Sequence, residues 1–102
     1  MGGLTSRQRK YLKSLAHHLE PTVRVGQSGA TPTVIAETDR TIGTLELIKV
    51  RIDADKGASR REIANSISEE IGASLVGTIG KIAILYRPNS EKPKIKLPKD
   101  VK

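Results

Sequence analysis

The spacing of apolar positions changes period several times along the chain, and each change marks an element. Leu12, Leu15, Ala16 and Leu19 recur at helical spacing, while Arg7, Arg9, Lys10 and Lys13 fill the other faces and no acid precedes Glu20. Leu4, Thr5 and Gln8 stand at the spacing of a hydrophobic staple and capping box, so the first helix opens at Thr5 and ends by Pro21. The period then falls to two. Thr22 and Arg24 alternate with Val23 and Val25, a short strand over 22–25. Thr31 as N-cap and Pro32 at the first helical position open a second helix, roughly 32–43, buried through Val34, Ile35 and Ile42. "LELIKVRI", 45–52, alternates again, with Ile48, Val50 and Ile52 on one face and Leu47, Lys49 and Arg51 on the other. That second face is half basic, so solvent or a ligand is expected to cover it.

A polar loop at 53–58 leads to Ser59 and Glu62, again at capping-box spacing. Ile63, Ile67 and Ile71 line a third helix until Gly72 stops it. "SLVGTI" and "KIAILYR" flank Gly80 as a terminal hairpin. The order is α-β-α-β-α-β-β. Strands joined through a helix run parallel and the hairpin adds an antiparallel pair. The expectation is a two-layer α/β fold: a four-stranded mixed sheet with helices mainly on one face. Residues 1–87 form one domain, and the Pro- and Lys-rich 88–102 reads as a basic, partly ordered tail.

Composition narrows the chemistry. With no Phe or Trp and two Tyr in 102 residues, the core is Ile, Leu, Val and Ala, and base stacking on a sheet face lacks its aromatics. The absence of Cys removes disulfides, thiolate metal sites and a Cys nucleophile, and suits a reducing cytoplasm. No apolar run approaches the roughly 20 residues that span a bilayer, and no signal-type segment opens the chain, so a soluble cytoplasmic protein without membrane partners is expected. Eighteen Lys and Arg against eleven Asp and Glu leave a net charge of +7, which favours a polyanion.

The candidate chemistry is concentrated in "VRVGQSGATPTVIAE", 23–37. Gly26-Gln27-Ser28-Gly29 joins a strand to a helix N-terminus, where backbone N–H groups and the positive end of the dipole favour a phosphate. Glycine lets a nucleotide backbone approach closely, as in the GxxG loop of the KH module. The same spacing also suits a plain tight turn with φ > 0, and the pattern alone leaves both open. Gly77-Thr78-Ile79-Gly80-Lys81 is not a phosphate-binding P-loop, because Leu75 stands where its first Gly is needed and Ile82 where its Ser or Thr is needed. His17 and His18 point about 100° apart on a helix and do not share one metal; a helix-end cap and an exposed side chain account for them. Ser28 has no evident base, and no acid–base pair assembles. No catalytic residue, metal, cofactor or small-molecule substrate is expected. RNA contact would be to phosphate and shape, through Gly26, Gln27, Ser28 and Gly29, helix residues Arg7, Arg9, Lys10 and Lys13, and Lys49 and Arg51 on the basic strand face.

"LTSRQRKYLKSLAHHLEP", "VGQSG", "ELIKVRI" and "IGKIAILYRP", in this order and spacing, resemble the YhbY-type CRM domain. This RNA-binding module is shared by small bacterial ribosome-associated proteins and plant organellar splicing factors. The resemblance spans residues 4–98. It implies a fold similar to the C-terminal domain of translation initiation factor three, association with precursors of the large ribosomal subunit, and no enzymatic activity. It also places the family's RNA-facing loop on Gly26 to Gly29, beside the basic residues of the first helix. Many members carry Lys after the first glycine, where this chain has Gln27. That removes a charged phosphate contact and leaves the backbone N–H groups. The expected function is therefore binding of ribosomal RNA during ribosome assembly. The alternative is a protein-interaction module docking through a sheet edge or its basic face, with incidental RNA affinity.

Overall fold

In the structure, a computed structural model describing residues 4–54 and 57–98, Thr5 caps helix α1 (Ser6–Ala16) through a complete capping box. Its hydroxyl accepts from Gln8 N at 3.1 Å, and Gln8 Oε1 accepts from Thr5 N at 3.1 Å. The helix stops at Ala16, short of the expected Pro21, and Leu19 leaves its face. Strand β1 (Pro21–Val25) begins by pairing with Lys49, so the chain must reverse within residues 17–20. Pro21 also disfavours a helical conformation at Glu20.

Thr31 caps helix α2 (Pro32–Leu45) by accepting from Val34 N at 3.2 Å, and Pro32 takes the first helical position. This helix runs past the expected residue 43, and strand β2 (Leu47–Ile52) starts two residues after the expected Leu45. Glu46 makes the junction. It holds φ at +69°, caps α2 with its N–H on Ile42 O, and is fully buried.

Helix α3 (Gly57–Ile71) opens before Ser59, which therefore lies inside it rather than capping it; residues 55 and 56 of the expected polar loop lie outside the described residues. Gly72 ends the helix as expected. Its φ of +68° lets Ala73 N reach Ser68 O at 2.8 Å and its own N–H reach Glu69 O at 3.4 Å, a Schellman pair. Strands β3 (Ser74–Ile79) and β4 (Ile82–Tyr86) form the hairpin, with Gly80 in the turn at φ +57°.

The sheet order is β1-β2-β4-β3, with β1 parallel to β2 and β4 antiparallel to both its neighbours. Strands β2 and β3 thus run the same way with β4 inserted between them. The sheet is mixed, as the order of elements predicts. Each face of the sheet has its own core. Helices α2 and α3 cover Val23, Val25, Ile48, Val50, Ile52 and Leu85, with Ile42 and Ile67 reaching in from the helices. Val34 and Ile35 are only half-buried at the edge of this layer. On the opposite face α1 brings Leu12 and Ala16 onto Leu47, Val76, Ile84 and Tyr86. Leu47's face is therefore not left to solvent at its start. Only the stretch toward Lys49 and Arg51 stays half-open.

Candidate nucleic-acid interface

The glycine loop closes as one tight turn, Gly29 N donating to Gly26 O at 3.1 Å. Gly29 is buried with φ +75°, and a side chain there would meet Ile63 of α3 at 3.6 Å. Gly26 differs. It lies outside the left-handed region, and a Cβ added to it would find nothing within 4 Å. The fold needs glycine at 29 and makes no such demand at 26. Gly26, Gln27 and Ser28 are exposed just before the N-terminus of α2, whose first turn carries no acid. The Gln27 side chain is committed within the protein, its Nε2 donating to the Asp53 carbonyl.

The loop continues a basic face. Alternation places Thr22 and Arg24 of β1 and Lys49 and Arg51 of β2 on the same side of the sheet as α1. Arg24 pairs with Arg51 one residue before β1 ends at Val25 and the loop begins. Lys49 is opposite Ile84, which in turn faces Gly77 on β3. Lys13 of α1 lies across Gly77: a Cβ added there would sit 2.8 Å from Lys13 Cε. Lys13 and Lys49 are thus at one level of the sheet, with Arg24 and Arg51 one step nearer the glycines.

The structure brings Lys13, Lys49 and Arg51 onto one side, and the loop adjoins their end through the Gln27 contact with Asp53. Arg9 shares the Lys13 flank of α1, but one Nη2 donor is occupied by Leu4 O at 3.1 Å. Lys10 and Arg7 both lie on the outer surface of α1, away from the buried Leu12 and Ala16. His17 is the C-cap of α1, and its ring meets that of His18 edge-on at 5.2 Å. Among the described residues, no group of three or more His, Asp or Glu side chains is placed to hold a metal.

Two features were not predicted from the sequence. The first is Asp53, whose carboxylate accepts from Arg24 Nε at 2.7 Å and from Arg51 Nε at 3.0 Å. These two hydrogen bonds, Arg24's the larger, hold its pKa below the ordinary value against the opposing effect of burial. Arg24 and Asp53 continue the same alternation as Lys49 and Arg51, and that signal was legible. The second is Glu46. Its carboxylate accepts from Asn89 N, Lys94 N and Ile95 N at 2.8 to 2.9 Å, fastening residues 89–95 to the α2–β2 junction. Burial pushes this carboxyl up, but the three backbone donors and the Lys94 charge outweigh it, and the net shift is downward. The segment then packs Ile95 and Leu97 beside α1 and reaches Gln8, whose Nε2 donates to Pro98 O at 3.2 Å.

No helix among the described residues is long and apolar enough to cross a membrane. A family model, the CRS1/YhbY (CRM) domain, matches residues 4–87. A Haemophilus influenzae protein named RNA-binding protein is 43% identical over 99 residues, covering 97% of this chain and 99% of that one. Bacillus subtilis YqeI, named a probable RNA-binding protein, is 33% identical over 93% of this chain and 99% of its own length. The solution structure of SAV1595 from Staphylococcus aureus superposes with a TM-score of 0.84 at 36% identity, over 93% of this chain and 99% of that one. Matched by the family model over most of its length, and by relatives end to end, the chain belongs to the CRS1/YhbY (CRM) domain family.

Proposed function

We propose that this protein is a non-catalytic, cytoplasmic RNA-binding protein that holds ribosomal RNA in precursors of the large subunit. Contact is made through the backbone of Gly26 to Gly29 and the adjoining basic face. One observation carries the reading: an exposed glycine turn, with a first glycine the fold does not require, is continuous with Arg24, Lys49 and Arg51. The net charge of +7 and the RNA-binding names of the relatives support it.

The test is a titration of a structured RNA across salt concentrations. Neutralised phosphates release counterions, so log affinity falls against log salt by about 0.9 per contact on duplex and about 0.7 on single strands. A slope of several units is expected; a flat response rules the reading out. Crosslinking in cell extract, followed by sequencing of the attached RNA, then identifies the target, and recovery of large-subunit ribosomal RNA is the expected result.

A second reading, protein docking, draws on the exposed Leu15, Leu19 and Leu45 and the β1 sheet edge. A shallow salt slope would favour it.

A further inference from the structure

An acid, Asp53, is set among the cations of the basic face, between Arg24 and Arg51. Asp53 follows Lys49 and Arg51 in phase and lies next to the end of β1, its N–H donating to Val25 O at 2.9 Å. By charge alone it offsets one cation. Its geometry indicates a different role.

Both arginines reach Asp53 through Nε, at 2.7 and 3.0 Å, one on each carboxylate oxygen. A guanidinium carries five N–H donors in a rigid plane, four of them on the two Nη atoms. Among the described residues those Nη atoms make no hydrogen bond in either arginine, and the side chains of Arg24 and Arg51 are 71% and 43% exposed. Asp53 itself is 20% exposed and held at both ends, by Val25 O at its N–H and by Gln27 Nε2 at its carbonyl. One carboxylate therefore fixes two guanidinium planes on adjacent strands and ties them to the glycine turn.

We propose that Arg24 and Arg51, positioned by Asp53, form a phosphate subsite beside the Gly26–Gly29 turn that takes the neighbouring phosphodiester of a bound RNA strand. The subsite rests on the RNA-binding reading above and adds Arg24 as a contact residue and Asp53 as a positioning residue. Holding the two forks in advance spares the ordering cost of two long side chains on binding.

The sign of one substitution separates this from simple charge. Asp53→Asn removes one carboxylate and raises the net charge from +7 to +8, so a purely electrostatic face would bind RNA more tightly. Fixed forks require the reverse. Parent, Asp53→Asn and Arg24→Lys are titrated with one fluorescent mixed-sequence RNA oligonucleotide at several salt concentrations, and each is melted alone. Asp53→Asn is expected to bind about threefold to tenfold more weakly with a shallower salt slope, and Arg24→Lys, which keeps the charge and loses the fork, to weaken comparably. Equal or tighter binding by Asp53→Asn with a normal melt overturns the subsite. If Asp53→Asn melts early, Arg24→Lys decides, and parent-like binding by that variant overturns it. A parent that does not bind the oligonucleotide instead sinks the RNA-binding reading itself.

Discussion

Gly26 and Gly29 share one turn under different constraints, and substitution separates them. At Gly29, φ of +75° costs any L-residue about 1–2 kcal/mol, while the Ile63 contact at 3.6 Å is ordinary packing. Gly29→Ala should therefore lower stability by about that much. Gly26→Ala should melt like the parent and bind RNA more weakly, because its methyl group meets only an incoming backbone. A Gly26→Ala protein with parental affinity would show that nothing approaches the loop there. The spacing of the glycines was plain in the sequence, but which of them the fold needs was not, since φ is a property of the folded turn. Glu46 shows the same limit more sharply. Within "LELIKV" it reads as one more strand residue, and nothing local announces a buried carboxylate at φ +69°. Its three hydrogen-bond donors lie 43 to 49 residues further along the chain.

Among the elements, most caps and stops were legible because their chemistry is local, the exception being Ser59, which lies inside α3 and not at its cap. Thr5 with Gln8, Thr31 with Pro32, and Gly72 all act within a few residues of themselves. The ends set by distant partners were misplaced: α1 stops where β1 must begin pairing, and α2 runs on until Glu46 meets its donors. The stretch over 87–98 is such a case, having neither helix nor strand, yet anchored through Glu46. Its anchorage should depend on pH. Glu46 has a folded pKa below its ordinary value of 4.5, so its contribution is complete above that value and is lost as pH falls from there through the depressed folded pKa. Amide resonances of Asn89, Lys94 and Ile95 should shift together in that window, and the melting temperature should fall. Asp53 titrates in the same direction, so the comparison is with Glu46→Gln. That variant should melt lower at neutral pH and lose less on acidification. An equally steep fall in both proteins would assign the acid sensitivity elsewhere.

For the whole molecule, net charge could be counted from the sequence, whereas its distribution depended on which faces the sheet and α1 share. Lys13 and Lys49 meet at one level only because Gly77 leaves room for the Lys13 side chain. Location and total charge can be separated by two double reversals. Lys10→Glu with Lys13→Glu, and Arg40→Glu on α2 with Arg61→Glu on α3, each change the net charge from +7 by four units, to +3. If the α1 side is the RNA face, the first pair should weaken binding by roughly tenfold or more, as expected for lost charge-assisted contacts, and the second by much less. Equal losses would mean that RNA senses only the overall charge.

Gln8 uses one side-chain end to complete the cap of α1 and the other to hold Pro98, a separation of 90 residues. A ribosome making this protein delivers α1 well before several partners of its apolar face: Ile84 and Tyr86 in β4, then Ile95 and Leu97. Until β4 leaves the exit tunnel, Leu47 on β2 and Val76 on β3 have no strand between them, and the helix that carries Lys10 and Lys13 lacks the continuous surface on which Leu12 and Ala16 pack. Vectorial synthesis therefore postpones assembly of the basic face until β4 has emerged, so a nascent fragment that lacks β4 should not compete with the folded protein for its RNA.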